Sequence, residues 1–357
     1  MKLSQAILLA GVVPGFASAG ERPSAKAAGI EMPAAESRWS FGASFAPLLN
    51  AKATFSDLGA FRNPLLLQPP GGGQDYEYDD GFVRVDDSGN EGGRTTYWRY
   101  ENSSQYDAGS NTLSFNITNS LQSGRAGETE EVSPGFEVFG YLDMGNLADF
   151  AGRPVTWGFK GGIHYAKISV GGKGLLTSDI SRVTDAFQTP VIPLFPPAGY
   201  EGTPDDNGTV IGDEPARSTT IIANGATVAG ERDLDVDMVT VSAGPYLEFP
   251  VTGNFSLFAE AGVSLSIARG HYAFDSMTTI TDTGATQVSS GDETRTVILP
   301  GIYAGFSTVW KLTDHFGIHG SARYQYIDSF RVDASGSEAS LDFDGAAVLS
   351  LGGVWSF

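Results

Sequence analysis

From Arg38 to Phe357 the chain alternates between apolar and polar side chains, and no helical stripe longer than two turns interrupts it. A period of two puts successive side chains on opposite faces of a strand, so the pattern commits this stretch to β-structure. Phe316 to Tyr326 is the clearest example. Phe316, Ile318, Gly320, Ala322, Tyr324 and Tyr326 share one face; His319, Ser321, Arg323 and Gln325 share the other. Phe255, Leu257, Ala259, Ala261, Val263 and Leu265 oppose Ser256, Glu260, Ser264 and Ser266 in the same way. The breaks between strands alternate in kind: 147–154, 250–254 and 312–315 are tight, whereas 48–133, 171–231, 281–294 and 333–341 are long and polar. Two of the tight breaks look like copies of one unit, Pro250 to Phe255 and Lys311 to Phe316. A rim of short turns facing a rim of large loops is the asymmetry of an up-and-down transmembrane barrel.

Composition excludes several classes. No apolar run reaches the roughly 18 residues of a spanning helix. There is no Cys, which removes disulfides, thiolate metal sites and Cys nucleophiles. A net charge of −20 offers no basic footprint for nucleic acid. Residues 86–91 hold acids, but the glycine and the bidentate acid of a calcium loop are misplaced, and no cofactor motif appears. At the N-terminus, Lys2, the apolar run Ala6 to Val13 and Ala17-Ser18-Ala19 follow the order of an export signal cleaved after Ala19. The organisation expected is a signal peptide over 1–19, a periplasmic lead-in over 20–37 and a barrel over 38–357.

A soluble β-sandwich alternates in the same way, with its apolar face buried. Aromatic placement separates the two. Trp39, Phe41, Trp157, Phe249, Phe255, Trp310, Phe316, Trp355 and Phe357 fall near strand ends on the apolar face, as in the girdles of a membrane barrel.

The terminal strand is the most specific signal. Counting back by twos from Phe357 gives Trp355, Gly353, Leu351, Leu349 and Ala347 on one face. This resembles the C-terminal signature of bacterial outer-membrane barrels. The turn pattern resembles the small OmpA-like and OmpW-like members, with strands near 38–46, 134–146, 154–170, 232–250, 254–279, 295–312, 315–332 and 342–357. The resemblance implies an all-β antiparallel barrel of eight strands in the outer membrane, or ten if Thr95–Tyr100 and Thr112–Thr118 both cross. It also implies that the barrel-assembly machinery reads Leu351, Trp355 and Phe357, and that lipopolysaccharide surrounds the barrel.

On the expected lumen face lie Arg38, Glu137, Asp143, Lys160, His164, Glu248, Glu260, Lys311, His319 and Arg323. An eight-stranded barrel is just wide enough to be filled by side chains, so such charges must be paired or wet. Counting inward positions from the two tight turns puts Glu260 and Arg323 at one height and suggests that they pair, with Lys160 and Glu248 nearby. No Ser motif or His–Asp spacing singles out a catalytic site, so no enzymatic activity is expected. Two roles follow: a structural, adhesive or receptor-like surface protein acting through long acidic loops, or a narrow OmpW-like channel for small or apolar solutes. In the first, Arg323→Ala should lower stability and open a conductance. The apolar run Val191 to Phe195 is a candidate contact at a loop tip, or a flap over the barrel mouth.

Overall fold

The computed structural model describes residues 39–87, 92–150, 152–192, 194–204 and 208–356. The expected signal peptide and lead-in, Arg38 and Phe357 lie outside them.

Eight strands close a ring: β1 (Trp39–Phe45), β2 (Gly135–Phe150), β3 (Arg153–Gln188), β4 (Ala216–Pro250), β5 (Phe255–Ile280), β6 (Thr286–Lys311), β7 (Phe316–Ile327) and β8 (Ala347–Ser356). Each pairs antiparallel with the next, and β8 returns to β1 with Trp355 opposite Phe41 and Leu351 opposite Phe45. Closure removes the open edges that a flat sheet would leave. The two tight turns do share one geometry: Val251 and Thr252 N–H donate to Phe255 O, as Leu312 and Thr313 N–H donate to Phe316 O. Thr112–Ser120 is a strand, but it pairs with Ile180–Gln188 far along β3 and does not enter the ring. The ring has eight strands, not ten.

All four long segments read as loops contain strand, and β6 alone takes most of 281–294. β3 and β4 run on as one hairpin through most of 171–231, and Leu48–Leu58 and Gly124–Ser133 extend β1 and β2 upward. Phe330–Ala334 and Ser337–Asp342 do the same above β7 and β8.

Polarity inverts along these strands at one register row. Tyr165, Val239, Ile267 and Ile298 are cross-strand neighbours facing outward, and the next outward row is Lys167, Asp237, Arg269 and Thr296. Inward, the row His164, Thr240, Ser266 and Leu299 gives way to Ala166, Met238, Ala268 and Val297. Below the inversion the outside is apolar and the inside polar, as lipid requires; above it the outside is charged and the inside is an apolar core. Val239 to Phe249 of β4, about ten residues at ~3.3 Å each and a tilt near 40°, span on the order of 25 Å, the height of an outer-membrane apolar band. From there the β3–β4 hairpin climbs about twenty residues, a tower on the order of 50 Å tall.

The β1–β2 and β6–β7 ladders lapse near the inversion, while β3 to β6 stay paired through it, and prolines sit at the lapses. Pro47 separates β1 from Leu48–Leu58, and Pro134 separates Gly124–Ser133 from β2. Pro300 marks the last rung between β6 and β7, where Asp328 N–H donates to Pro300 O. A proline has no N–H to continue a ladder. Above these points two sheets face one another across a core that includes Phe55, Val236, Tyr272, Phe330 and Leu341. The chain therefore combines the two architectures its alternation allows: a membrane barrel below and face-to-face sheets above.

Glycine makes the narrow lumen possible. A Cβ on Gly42 would lie 2.3 Å from the Phe139 ring, one on Gly158 would lie 2.7 Å from the Tyr246 hydroxyl, and one on Gly262 would lie 2.8 Å from the Tyr303 ring. Each large inward side chain thus lies over a neighbour with no side chain. Gly42→Val should overpack this layer and cost about 1–3 kcal/mol in equilibrium unfolding from vesicles. An unchanged midpoint would show that the Phe139 ring is not fixed there.

Candidate functional site

The lumen of the membrane part is filled in layers. Phe139, Tyr141, Tyr246, Phe258, Val309 and Val354 form an apolar cluster toward the periplasmic side. Two buried ion pairs adjoin it. Lys160 Nζ lies 2.8 Å from a Glu260 carboxylate oxygen, and Arg323 Nη1 donates to Glu137 Oε1 at 2.7 Å. Lys160 also sits over the Phe139 and Tyr141 rings, and Arg323 over Tyr303. His319 Nε2 is 3.2 Å from the Tyr141 hydroxyl, and His164 Nε2 is 2.8 Å from Ala46 O. The apolar core of the tower closes the lumen above.

The partners of these side chains differ from those that counting inward positions suggests. Arg323 reaches Glu137, on β2, rather than Glu260, and Glu260 is taken by Lys160. Glu248 instead accepts from Thr156 Oγ1, and Asp143 accepts from Gly145 N–H; both are half-buried, away from the two pairs. Lys311 keeps inward parity but is exposed beside the turn, outside the network. Ser44, Glu137 and His164 lie in one inward row. Ser44 Oγ, Glu137 Oε2 and His164 Nδ1 are all buried with no protein partner, a placement that calls for bridging water.

A second site sits at the top of the tower. Tyr76–Tyr78, Gly81–Val83 and Trp98–Tyr100 form a small sheet, and with Phe115 and Phe187 their rings build an aromatic cap. Acids from the segments that read as loops hold it together. Asp80 accepts from Asn116 N–H and Nδ2, Asp79 accepts from Thr118 N–H, and Asp86 accepts from Thr96 N–H. The Asp79 and Asp80 carboxylates occupy the outer edge of Thr112–Ser120, which would otherwise be an open strand edge. Burial raises the Asp80 carboxyl above its ordinary range, the cost of placing it there.

At the cap's base Arg217 makes a bidentate pair with Asp185, at 2.7 Å to each oxygen. The same carboxylate accepts from the Tyr78 hydroxyl at 2.8 Å. Burial and this hydrogen bond hold the Tyr78 phenol far above its usual range, so it stays a donor. Asp185→Ala should loosen the cap by on the order of 1–3 kcal/mol, read as faster hydrogen exchange over 76–118 with the barrel amides unchanged. Uniform protection in the variant would contradict this role.

Phe195 stacks on Tyr106 at 3.8 Å and on Trp98, so the Val191–Phe195 run is anchored at one end. Val191 and Leu194 stay 83% and 85% exposed. The run is a tip, not a flap over the lumen.

Register also shows a row that sequence spacing hid. Ser169, Asp235, His271 and Thr294 are cross-strand neighbours on the outer wall, two rows above the lipid belt. Ser169 Oγ donates to Asp235 at 2.6 Å, and His271 Nδ1 is 3.1 Å from Thr294 Oγ1.

At the C-terminus, Leu351 and Trp355 face outward, and Trp355 packs on Phe316 at 5.1 Å.

No family model matches the sequence, and no curated protein matches it. Among solved structures it is similar to Ail, the attachment invasion locus protein of Yersinia pestis, at 11% identity. That match covers 88% of this chain and 99% of that one, with a TM-score of 0.24. It is also similar to the outer membrane protease OmpT from Escherichia coli at 8% identity, covering 90% and 97%, with a TM-score of 0.28. At these scores the fold rests on the ring and its polarity. The expectation of no enzymatic activity is withdrawn, because a protease stands among these barrels. The chain folds as an outer-membrane β-barrel.

Proposed function

We propose that the protein is exported by the signal over 1–19 and sits in the outer membrane as a small barrel of the OmpA-like or OmpW-like kind. There it is closed to solutes and acts through its tower as an adhesive or receptor-like surface protein. The observation behind this reading is the inaccessible lumen: Glu137, Arg323 and His319 are 1%, 2% and 0% exposed at the level of the lipid belt. A wetted path, which the channel alternative needs, would leave such side chains open to solvent. The exposed chemistry is instead on the tower, with a charged band at the height of lipopolysaccharide headgroups and an apolar tip at Val191 and Leu194. Leu351, Trp355 and Phe357 would serve the assembly machinery during insertion.

The Ail structure was determined with a heparin analogue. For this chain, a net charge of −20 disfavours a polyanionic ligand and favours a neutral or cationic surface. The test compares attachment to epithelial monolayers by bacteria displaying wild type or the Val191→Ser/Leu194→Ser variant, at equal surface amounts. Several-fold weaker attachment by the variant, with excess heparin having no effect on wild type, is the expected result. Equal attachment would contradict the reading.

A further inference from the structure

One concavity of the described barrel lies on its outer wall and not in the lumen. A groove of about 900 Å³ crosses the outward wall within the lipid belt. Its floor is Ala259, Ala261, Ala304 and Ala322, and the large side chains of Trp157, Leu247, Phe306 and Tyr324 stand along it. Register explains the shape. Leu247, Ala259, Phe306 and Ala322 form one outward row, and Ala261, Ala304, Tyr324 and Ala347 form the next. Small residues fall together between bulky ones, so backbone is exposed at the bottom. Rows run across tilted strands, so the groove climbs obliquely from Trp157, near the periplasmic rim, toward Tyr324.

We propose that this groove seats one acyl chain of a phospholipid from the periplasmic leaflet, an inference that rests on the membrane reading above. The groove is continuous with the lipid belt, so the medium that covers the belt also fills the groove. A flexible apolar chain can follow an oblique, narrow floor that a folded partner would bridge. The headgroup end is marked by charge. Arg153 lies four residues before Trp157 on β3, about 13 Å along the strand. It is exposed, donates one hydrogen bond to Pro250 O at 3.2 Å, and forms no ion pair among the described residues. Its remaining guanidinium donors suit a lipid phosphate at the rim.

The test is native mass spectrometry of full-length protein extracted in mild detergent, with heat-modifiable gel mobility confirming that each variant is folded. Wild type should retain one phospholipid per chain. Ala304→Phe/Ala322→Phe, which fills the floor, should lose it. Ala243→Phe, on the outward wall but off the groove, should keep it. Arg153→Glu, which leaves the groove intact, should lower retention several-fold. Wild type without phospholipid, equal retention in the filled variant, or a lipopolysaccharide chain or second protein copy in its place would overturn the proposal while leaving the barrel intact. Protein recovered without detergent would overturn the membrane reading itself.

Discussion

Arg323→Ala should lower the unfolding free energy by about 3–5 kcal/mol, because it leaves the buried Glu137 carboxylate without its countercharge. Glu137 is buried, one of its oxygens already lacks a partner, and the other accepts from Arg323. The check is reversible denaturant unfolding from vesicles, with Glu137→Gln and the double variant completing the cycle. Glu137→Gln should be milder, and the double variant should recover part of the loss. Additive losses would mean that the two groups do not interact. No conductance should appear in Arg323→Ala, contrary to what the sequence alone suggests, because the tower core closes the lumen above the pair.

Ala322→Arg should cost about 2–4 kcal/mol, since the position faces lipid near the middle of the belt. Thr296→Arg should stay within about 0.5 kcal/mol, because its outward site is exposed and lies one row above the polarity inversion. The same unfolding experiment ranks them. A large cost at Thr296 would place the membrane boundary higher on the wall, and a small one at Ala322 would remove that wall from lipid.

Strand number and facing were legible because a two-residue period survives any burial context. The tower is hidden for the same reason: when both faces exchange polarity at one row, alternation continues on either side. The trace left in the sequence is a phase slip, two adjacent apolar residues where the pattern changes face. Tyr165-Ala166, Met238-Val239, Ile267-Ala268 and Val297-Ile298 are such slips, and all four lie at the inversion. Paired with Pro134 and Pro300, they would have located the membrane boundary. The ion pairs were half legible. Parity gives the face of Lys160, Glu260 and Arg323, but height counted from the turns ignores strand tilt, and Arg323 reaches Glu137 across the lumen. The cap was illegible because Asp79, Asp80 and Asp185 look like loop acids until Asn116, Thr118 and Arg217 are brought to them by strand pairing.

The most direct measurement is single-channel recording on refolded mature protein in planar bilayers, with Arg323→Ala run in parallel. A lumen packed with the Phe139–Tyr141 cluster, two ion pairs and an apolar core predicts no steady conductance from either protein. Steady conductance from wild type, unaffected by the substitution, would contradict the closed barrel and restore the channel as its function.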